Sequence, residues 1–499
     1  MIDWLDDSRV ALVRERPGYA RTPPFAPSEA FPEWPELAPG REDNPAYRAV
    51  RLVLYNLGFD ASRFGTPAWN PLGDLARPGE TIAIKPNFVA DRNERPGAGS
   101  REDFECLVTH GSFVRAVIDY AAKALKGRGR ILVGDCPIQQ TRWPRLSSAA
   151  GLDTVLADAA RRFPGIDIVS RDYRLVHSMT AGGQVRRERG GAGPERYQEL
   201  DLRRDSLLLP LMEDDVEFAV ANYPRIRMRR AHTRDSNLYI VPRDLLEADL
   251  FINLPKMKSH QKAGITGALK NLVGVIGHKD YLPHFRFGSP SGGGDEYPDG
   301  GPLWDLHWRF VHACWENDRG AVRLLARAAV AASSQVHRRA LGVDRTAFAQ
   351  GGGSWHGNDT LWRTILDVNR AFLYYDRDRS EVGEMPSRRH LALLDGLIGG
   401  DHESPLAPSP VPAGLALGAR NPVALDTVAA TVMGFDFRRL HQVARAYELQ
   451  RYPLVRFDAE RIAIHGPRGI ERLEDIARIS EFVRFIPSCG WKGHIEFDG

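Results

Sequence analysis

Short apolar runs in this chain stop abruptly at residues able to do chemistry, and helical stripes separate the runs. Residues 81–84 run into Lys85-Pro86-Asn87, and residues 131–133 into Gly134-Asp135. Residues 250–253 run into Pro255-Lys256, and residues 390–394 into Asp395-Gly396. Apolar runs of this length read as strands buried on both faces, the habit of parallel sheets. Between the first two, Val114, Val117, Ile118, Ala121 and Leu125 recur at helical spacing, closed by Lys126-Gly127. A helix over 152–162 and a strand over 166–169 follow. Such alternation predicts a parallel sheet with right-handed crossovers. The pattern resumes late, with an amphipathic helix over 360–374, a strand over 414–417 and a helix opened by Asn421-Pro422-Val423. The expected class is therefore α/β: a mostly parallel sheet with helices on both faces, assembled from both halves of the chain. An inserted β-rich cap and long loops complete it.

This reading divides the 499 residues into an extended proline- and aromatic-rich arm (1–45) and a first α/β region (46–277), interrupted by the glycine-rich cap at 171–245. A loop and helical insert (278–355) and a second α/β region (356–499) follow. With 67 basic and 64 acidic residues the formal charge is only +3, so no global basic field argues for nucleic acid. The four cysteines are scattered and give neither CxxC spacing nor a disulfide framework, which fits a reducing cytoplasm. The first twenty residues lack the apolar segment of a signal peptide. No run approaches the roughly 20 apolar residues of a membrane span, so no membrane partner is expected.

Residues 248–274 concentrate the chemistry. After the apolar run come Asn253, Lys256, Lys258 and His260. A stripe follows on Ile265, Ala268, Leu269, Leu272 and Ile276, with Lys262, Thr266 and Lys270 along its edge. Polar residues past the carboxyl end of a strand in an open α/β sheet stand where ligands bind. So many lysines in so few residues point to an anion, which Lys256, Lys258 and Lys270 would hold as point charges; a solvated basic helix face is the alternative. His260, among lysines that favour its neutral form, is the leading base.

Other strand ends supply Lys85, Asn87, Asp135 and Asp395. Thr109-His110 precedes a helix; Thr109 reads equally as an N-cap and His110 as a proton carrier or a surface histidine. Asp135 and Asp395 suit a hydroxyl, a divalent metal or an Asx-turn. Asn271 serves either ligand or a neighbouring backbone. His402-Glu403, in a glycine-rich stretch read as a loop, is a weaker acid–base or metal pair. No HExxH, GxSxG or Walker A pattern occurs.

The string Asn253-Leu254-Pro255-Lys256-x-Lys258-x-His260, followed by Thr266-Gly267-x-Leu269-Lys270-Asn271-Leu272-x-Gly274, resembles the core signature of the domain-of-unknown-function family numbered 362. Lys85-Pro86-Asn87 with Thr109-His110 resembles its first segment and Gly134-Asp135 its second strand end. Asp395-Gly396, Gly399 and Asn421-Pro422-Val423-x-x-Asp426 resemble its carboxyl-terminal segment. The resemblance spans roughly residues 75 to 450. It implies an α/β core but no activity. Some members are similar to this core fused to ferredoxin-like cysteine clusters; the cysteines here cannot build one, so no built-in iron–sulfur cluster is expected.

Together these readings favour a cytosolic enzyme acting on an anionic carboxylate or phosphate by proton transfer, in the manner of an isomerase or lyase. His260, His110 and Asp135 would be catalytic. Lys85, Asn87, Asn253, Lys256, Lys258, Thr266, Lys270, Asn271 and Asp395 would bind substrate. The alternatives are a non-catalytic carrier of an anionic ligand or cofactor, and a redox protein served by an external iron–sulfur partner. Substrate, cofactor and oligomeric state are not legible in the sequence.

Overall fold

In the computed structural model the apolar runs pair side by side. The structure describes residues 3–181, 184–190, 193–212, 217–221, 223, 226–316, 320–340, 345–466, 468–477 and 483–497. The elements that build the sheet and its two helical layers are, in chain order, β1 (Arg9–Arg14), α1 (Pro45–Asn56), β2 (Thr81–Pro86), α2 (Gly111–Leu125), β3 (Gly129–Asp135), α3 (Leu152–Arg162) and β4 (Ile166–Asp172). After residues 171–245 come β5 (Leu250–Leu254), β6 (Lys256–His260), α4 (Gly267–Asn271), α5 (Leu361–Leu373), β7 (Arg389–Glu403), β8 (Leu415–Ala419), α6 (Pro422–Val432), β9 (Ala463–Gly466) and β10 (Gly469–Glu471).

The main sheet runs β10-β9-β1-β8-β7-β5-β2-β3-β4, with β6 added along β7. Its half from β7 to β4 is parallel throughout. β8 is antiparallel to both β7 and β1. The sheet is thus mixed, mostly parallel, and built from both halves of the chain, as expected.

Alternation along the strands sends side chains to opposite faces. Ala83, Phe251 and Ala392 join a core with Leu269, Ile365, Leu366 and Val428 from α4, α5 and α6. Ile82, Ile84, Ile252, Leu391 and Leu393 join a second core with Val53, Val114 and Val155 from α1, α2 and α3. The helices begin where local chemistry dictates. Asn44 Oδ1 accepts from Tyr47 N at 3.1 Å ahead of Pro45, and Asn421 Oδ1 accepts from Val423 N and Ala424 N at 2.9 and 3.0 Å ahead of Pro422. Each satisfies amide donors at a helix start.

Several stretches differ from their sequence reading. The amino-terminal arm contributes β1, which lies inside the sheet between β8 and β9. The lysine-rich tail 256–260 is strand β6, every residue of it buried. It pairs in parallel with β7 across a register shift between Lys256 and Lys258. The helix expected to run from Ile265 to Ile276 is only α4, extended by a 3-10 turn at Leu272–Val275. Ile265 instead belongs to the strand Gly264–Ile265 paired with β6. The stretch holding His402-Glu403 is not a loop but the end of the long strand β7. Its glycines serve close packing: a Cβ on Gly399 would collide with the Phe485 ring and one on Gly400 would lie 2.8 Å from Cys106 O.

The segment 171–245 contains two-stranded ribbons: Val176–Ala181 with Gln184–Arg189, and Tyr197–Asp201 with Leu238–Pro242. Its glycines Gly182, Gly183 and Gly191 lie outside the described residues. Segment 278–355 contributes helices Pro302–Glu316, Gly320–Ala340 and Arg345–Ala349. Among the described residues no helix is long and apolar enough to cross a membrane.

Candidate functional site

The carboxyl ends of β2 and β3 and the strand β6 open onto a cavity of about 230 Å³, roofed by the 3-10 turn after α4 and by residues 279–284. Eight of the twelve candidate residues line it: Lys85, Asn87, Asp135, Lys258, His260, Thr266, Lys270 and Asn271. This is the place where ligands enter open α/β sheets, past the strand carboxyl ends.

The floor is an ion pair. Lys85 Nζ lies 2.8 Å from Asp135 Oδ1 and donates to Asn271 Oδ1 at 3.1 Å. Asp135 also accepts from Phe88 N and Cys136 N, each at 2.7 Å. Gly274 permits this packing, because a Cβ there would collide with both Asp135 Oδ1 and Lys85 Nζ. Asn271 Oδ1 accepts from Asn87 Nδ2 at 2.9 Å, and its own Nδ2 donates to Asn253 Oδ1 at 2.7 Å. Asn253 Nδ2 in turn donates to Ala268 O at 2.9 Å. Asn253 therefore latches β5 to α4 and does not line the cavity. Asp426 of α6 fixes the other end of α4, accepting from Ala268 N and Leu269 N at 2.5 and 2.9 Å.

Lys85, Lys258, Lys262, Lys270 and Lys279 line the cavity, and among the described residues Asp135 is the single carboxylate that faces them. Burial, with the like charges of neighbouring lysines, pushes Lys258 and Lys270 down to about 7, and burial alone pushes Lys262 down to about 8. Burial also lowers Lys279. Lysines in this state are neutral for a substantial fraction of molecules near neutral pH and gain charge when an anion arrives.

The two histidines are held in opposite tautomers. His260 Nδ1 accepts from Lys262 N at 3.1 Å, so the neutral ring carries its proton on Nε2. Burial, then Lys270 and Lys258, holds it well below the usual histidine range. His260 is thereby set to donate a hydrogen bond, where the sequence suggested a base. His284 Nδ1 lies 2.8 Å from Leu282 O and must donate there, leaving Nε2 as an acceptor. Burial pushes His284 down to about 3. Two further groups are aimed at no protein partner: Asn87 Oδ1 and Thr266 Oγ1 are buried without a hydrogen bond among the described residues.

Lys256, His110 and Asp395 do not reach this cavity. Asp395 falls on the sheet face of Leu391 and Leu393, opposite to Lys85, so the strand ends divide between faces. There Lys256 Nζ lies 3.0 Å from Asp395 Oδ2 and donates to Tyr19 Oη at 2.7 Å. Tyr19 Oη donates to Asp395 Oδ1 at 2.5 Å, and His110 N donates to Asp395 Oδ2 at 2.9 Å. The His110 ring stacks on Tyr19 with centroids 4.0 Å apart, and its Nδ1 is 2.7 Å from Ser112 Oγ. Asp135 and Asp395, each proposed for a hydroxyl or metal, thus stand in separate clusters, each beside a lysine. Among the described residues no group of three or more His, Cys, Asp or Glu is placed to hold a metal ion. His402 pairs with Asp401 at 2.6 Å, and Glu403 accepts from Cys489 N at 2.9 Å; neither lines the cavity.

Sequence reasoning did not select Lys262, Lys279 or His284 as site residues. Lys262 has i, i+4 spacing to Thr266, but it stands in the turn before the strand Gly264–Ile265, so that helical spacing is not what brings it to the cavity. Lys279 and His284 lie in an irregular segment with no periodicity to place them.

No curated protein matches the chain. The family match begins at residue 213, beyond Lys85-Pro86-Asn87, Thr109-His110 and Gly134-Asp135, and takes in β5, β6, α4, α5, β7, β8 and almost all of α6. Over residues 213–431 the chain is thus similar to the family described as Domain of unknown function (DUF362), as its central signature implied.

Proposed function

We propose that the lysine-lined cavity binds an anionic small molecule, a carboxylate or phosphate, and that the protein is an enzyme moving a proton on it. The observation that carries this reading is the charge imbalance: among the described residues five lysines face the cavity against one carboxylate, which Lys85 already engages. Uncompensated buried cations cost folding free energy, and a bound anion returns it. Lys258 and Lys270, held near 7, have the proton affinity that acid–base catalysis at neutral pH requires. His260 Nε2–H suits the oxygen on which negative charge builds. The four free cysteines support a cytoplasmic setting.

The test has two parts. Inorganic phosphate and citrate, added at low ionic strength, are expected to raise the Tm of the wild type but much less that of Lys258→Gln. An unchanged Tm in the wild type would sink the anion reading. In D2O, a panel of small keto acids and ketose phosphates is then followed by NMR for exchange of carbon-bound hydrogen. Exchange lost in His260→Ala and Lys258→Gln supports catalysis, whereas binding without any exchange makes the protein a carrier.

A further inference from the structure

We propose that Lys270 is a covalent nucleophile: its amine condenses with the carbonyl group of a keto- or aldehydo-anion to form an imine in the cavity. This rests on the anion-binding reading and names the substrate class within it.

The lysines that line the cavity differ in one respect. Lys85 is committed to Asp135 and Asn271. Lys258 donates to Leu107 O at 2.7 Å, Lys262 to Gly352 O and Ser354 Oγ, and Lys279 to Cys136 O at 3.0 Å. Lys270 alone has no hydrogen bond or ion pair among the described residues. An anion-binding lysine profits from being held in place; a nucleophilic amine must be free to turn toward carbon.

The surroundings suit the reaction. Thr266 stands one helical turn before Lys270 on the same side of α4. Its Oγ1 is buried, with the residue only 2% exposed, and has no partner. Asn87, 9% exposed, turns an equally unpartnered Oδ1 to the same cavity. One hydroxyl and one acceptor are what a carbinolamine, with its new O–H, requires. Burial and the charges of Lys279, Lys85 and Lys262 favour the unprotonated amine that attack needs.

The step balances without an outside reagent. The Lys270 nitrogen lone pair bonds to the carbonyl carbon, and the C=O π pair moves to oxygen, polarised by His260 Nε2–H. A proton passes from nitrogen to that oxygen. The carbinolamine then loses water, leaving C=N. The imine acidifies the adjacent C–H, which connects it to proton-transfer chemistry.

The wild-type protein is incubated near pH 7.5 with glyoxylate, pyruvate or pyridoxal 5′-phosphate, reduced with borohydride, and mapped by peptide mass spectrometry. The expected result is a reduced adduct on Lys270 in about tenfold or greater excess over the exposed Lys492. An ordinary surface amine is ~99.9% protonated at that pH. Phosphate should suppress the adduct, and Lys270→Arg should remove it while keeping the phosphate-induced rise in Tm. Labelling that follows exposure, or that falls on Lys258 instead, overturns the proposal. If phosphate still raises the Tm in a Lys258-dependent way, only the nucleophile assignment falls. If phosphate has no effect either, the anion reading falls with it.

Discussion

Two clusters of buried charge lie on opposite faces of the sheet, and each is built around a lysine–aspartate pair. Around Asp395, one lysine, one tyrosine and backbone amides exhaust the carboxylate: Lys256, Tyr19, His110 N and, at 3.4 Å, Leu397 N all point at it. Around Asp135 the carboxylate is also saturated, yet Lys258, Lys262, Lys270 and Lys279 remain over a cavity with two orphaned polar atoms. Buried charge is common to both clusters. What distinguishes a ligand site is buried charge and hydrogen-bonding capacity left unmatched by the protein.

The sharpest way to break this comparison is Asp395→Ala. It strands Lys256 without its counter-charge and is expected to cost about 3–5 kcal/mol in urea unfolding. A loss below about 1 kcal/mol would mean that the closed cluster is not a structural keystone.

Gly274→Ala attacks the floor of the open pocket. Its Cβ would collide with the Lys85–Asp135 pair, and overpacking of this kind costs about 1–3 kcal/mol. Calorimetric titration with phosphate should show weakened binding as well.

The lysines supply a pH signature. Lys258, Lys270 and Lys262 titrate near 7 to 8 when folded but near 10.4 when unfolded. Between those values the unfolded chain binds more protons, so these groups make stability rise with pH from about 7 toward 10. Saturating phosphate should flatten that slope by restoring the charged lysines. A Tm series with and without phosphate reads both effects.

Lys270→Gln is expected to leave stability unchanged or slightly higher near pH 7, since it removes a half-buried amine that makes no hydrogen bond or ion pair among the described residues. A loss above about 1 kcal/mol in chemical denaturation would reveal a hidden structural contact and blur the contrast with Lys256.

The alternation of apolar runs and helical stripes was enough to read the sheet, its parallel half and most of the strand ends, because period and strand length are local properties. Residues 256–260 misled because three titratable side chains in five residues look like a solvated tail. They form a buried strand only because β7, from more than a hundred residues away, supplies the backbone partners and Asp395 the counter-charge for Lys256. The glycines near residue 400 misled similarly: glycine marks a turn or a close approach, and only the neighbouring Phe485 and Cys106 decide which.

The sequence by itself determined the α/β class, the helix start at Pro422, and the stretch where most of the chemistry gathers. Each is fixed by residues within a few positions of one another. Only the tertiary structure decided which strand-end residues share a cavity. That choice depends on side-chain parity in paired strands: Lys85 and Asp395 each close an apolar run, yet they leave the sheet on opposite faces. The same holds for proton chemistry. The lysines are shifted by burial, and His260 is a donor because Lys262 N occupies its Nδ1. Desolvation and hydrogen-bond partners arise only when distant parts of the chain close over one another.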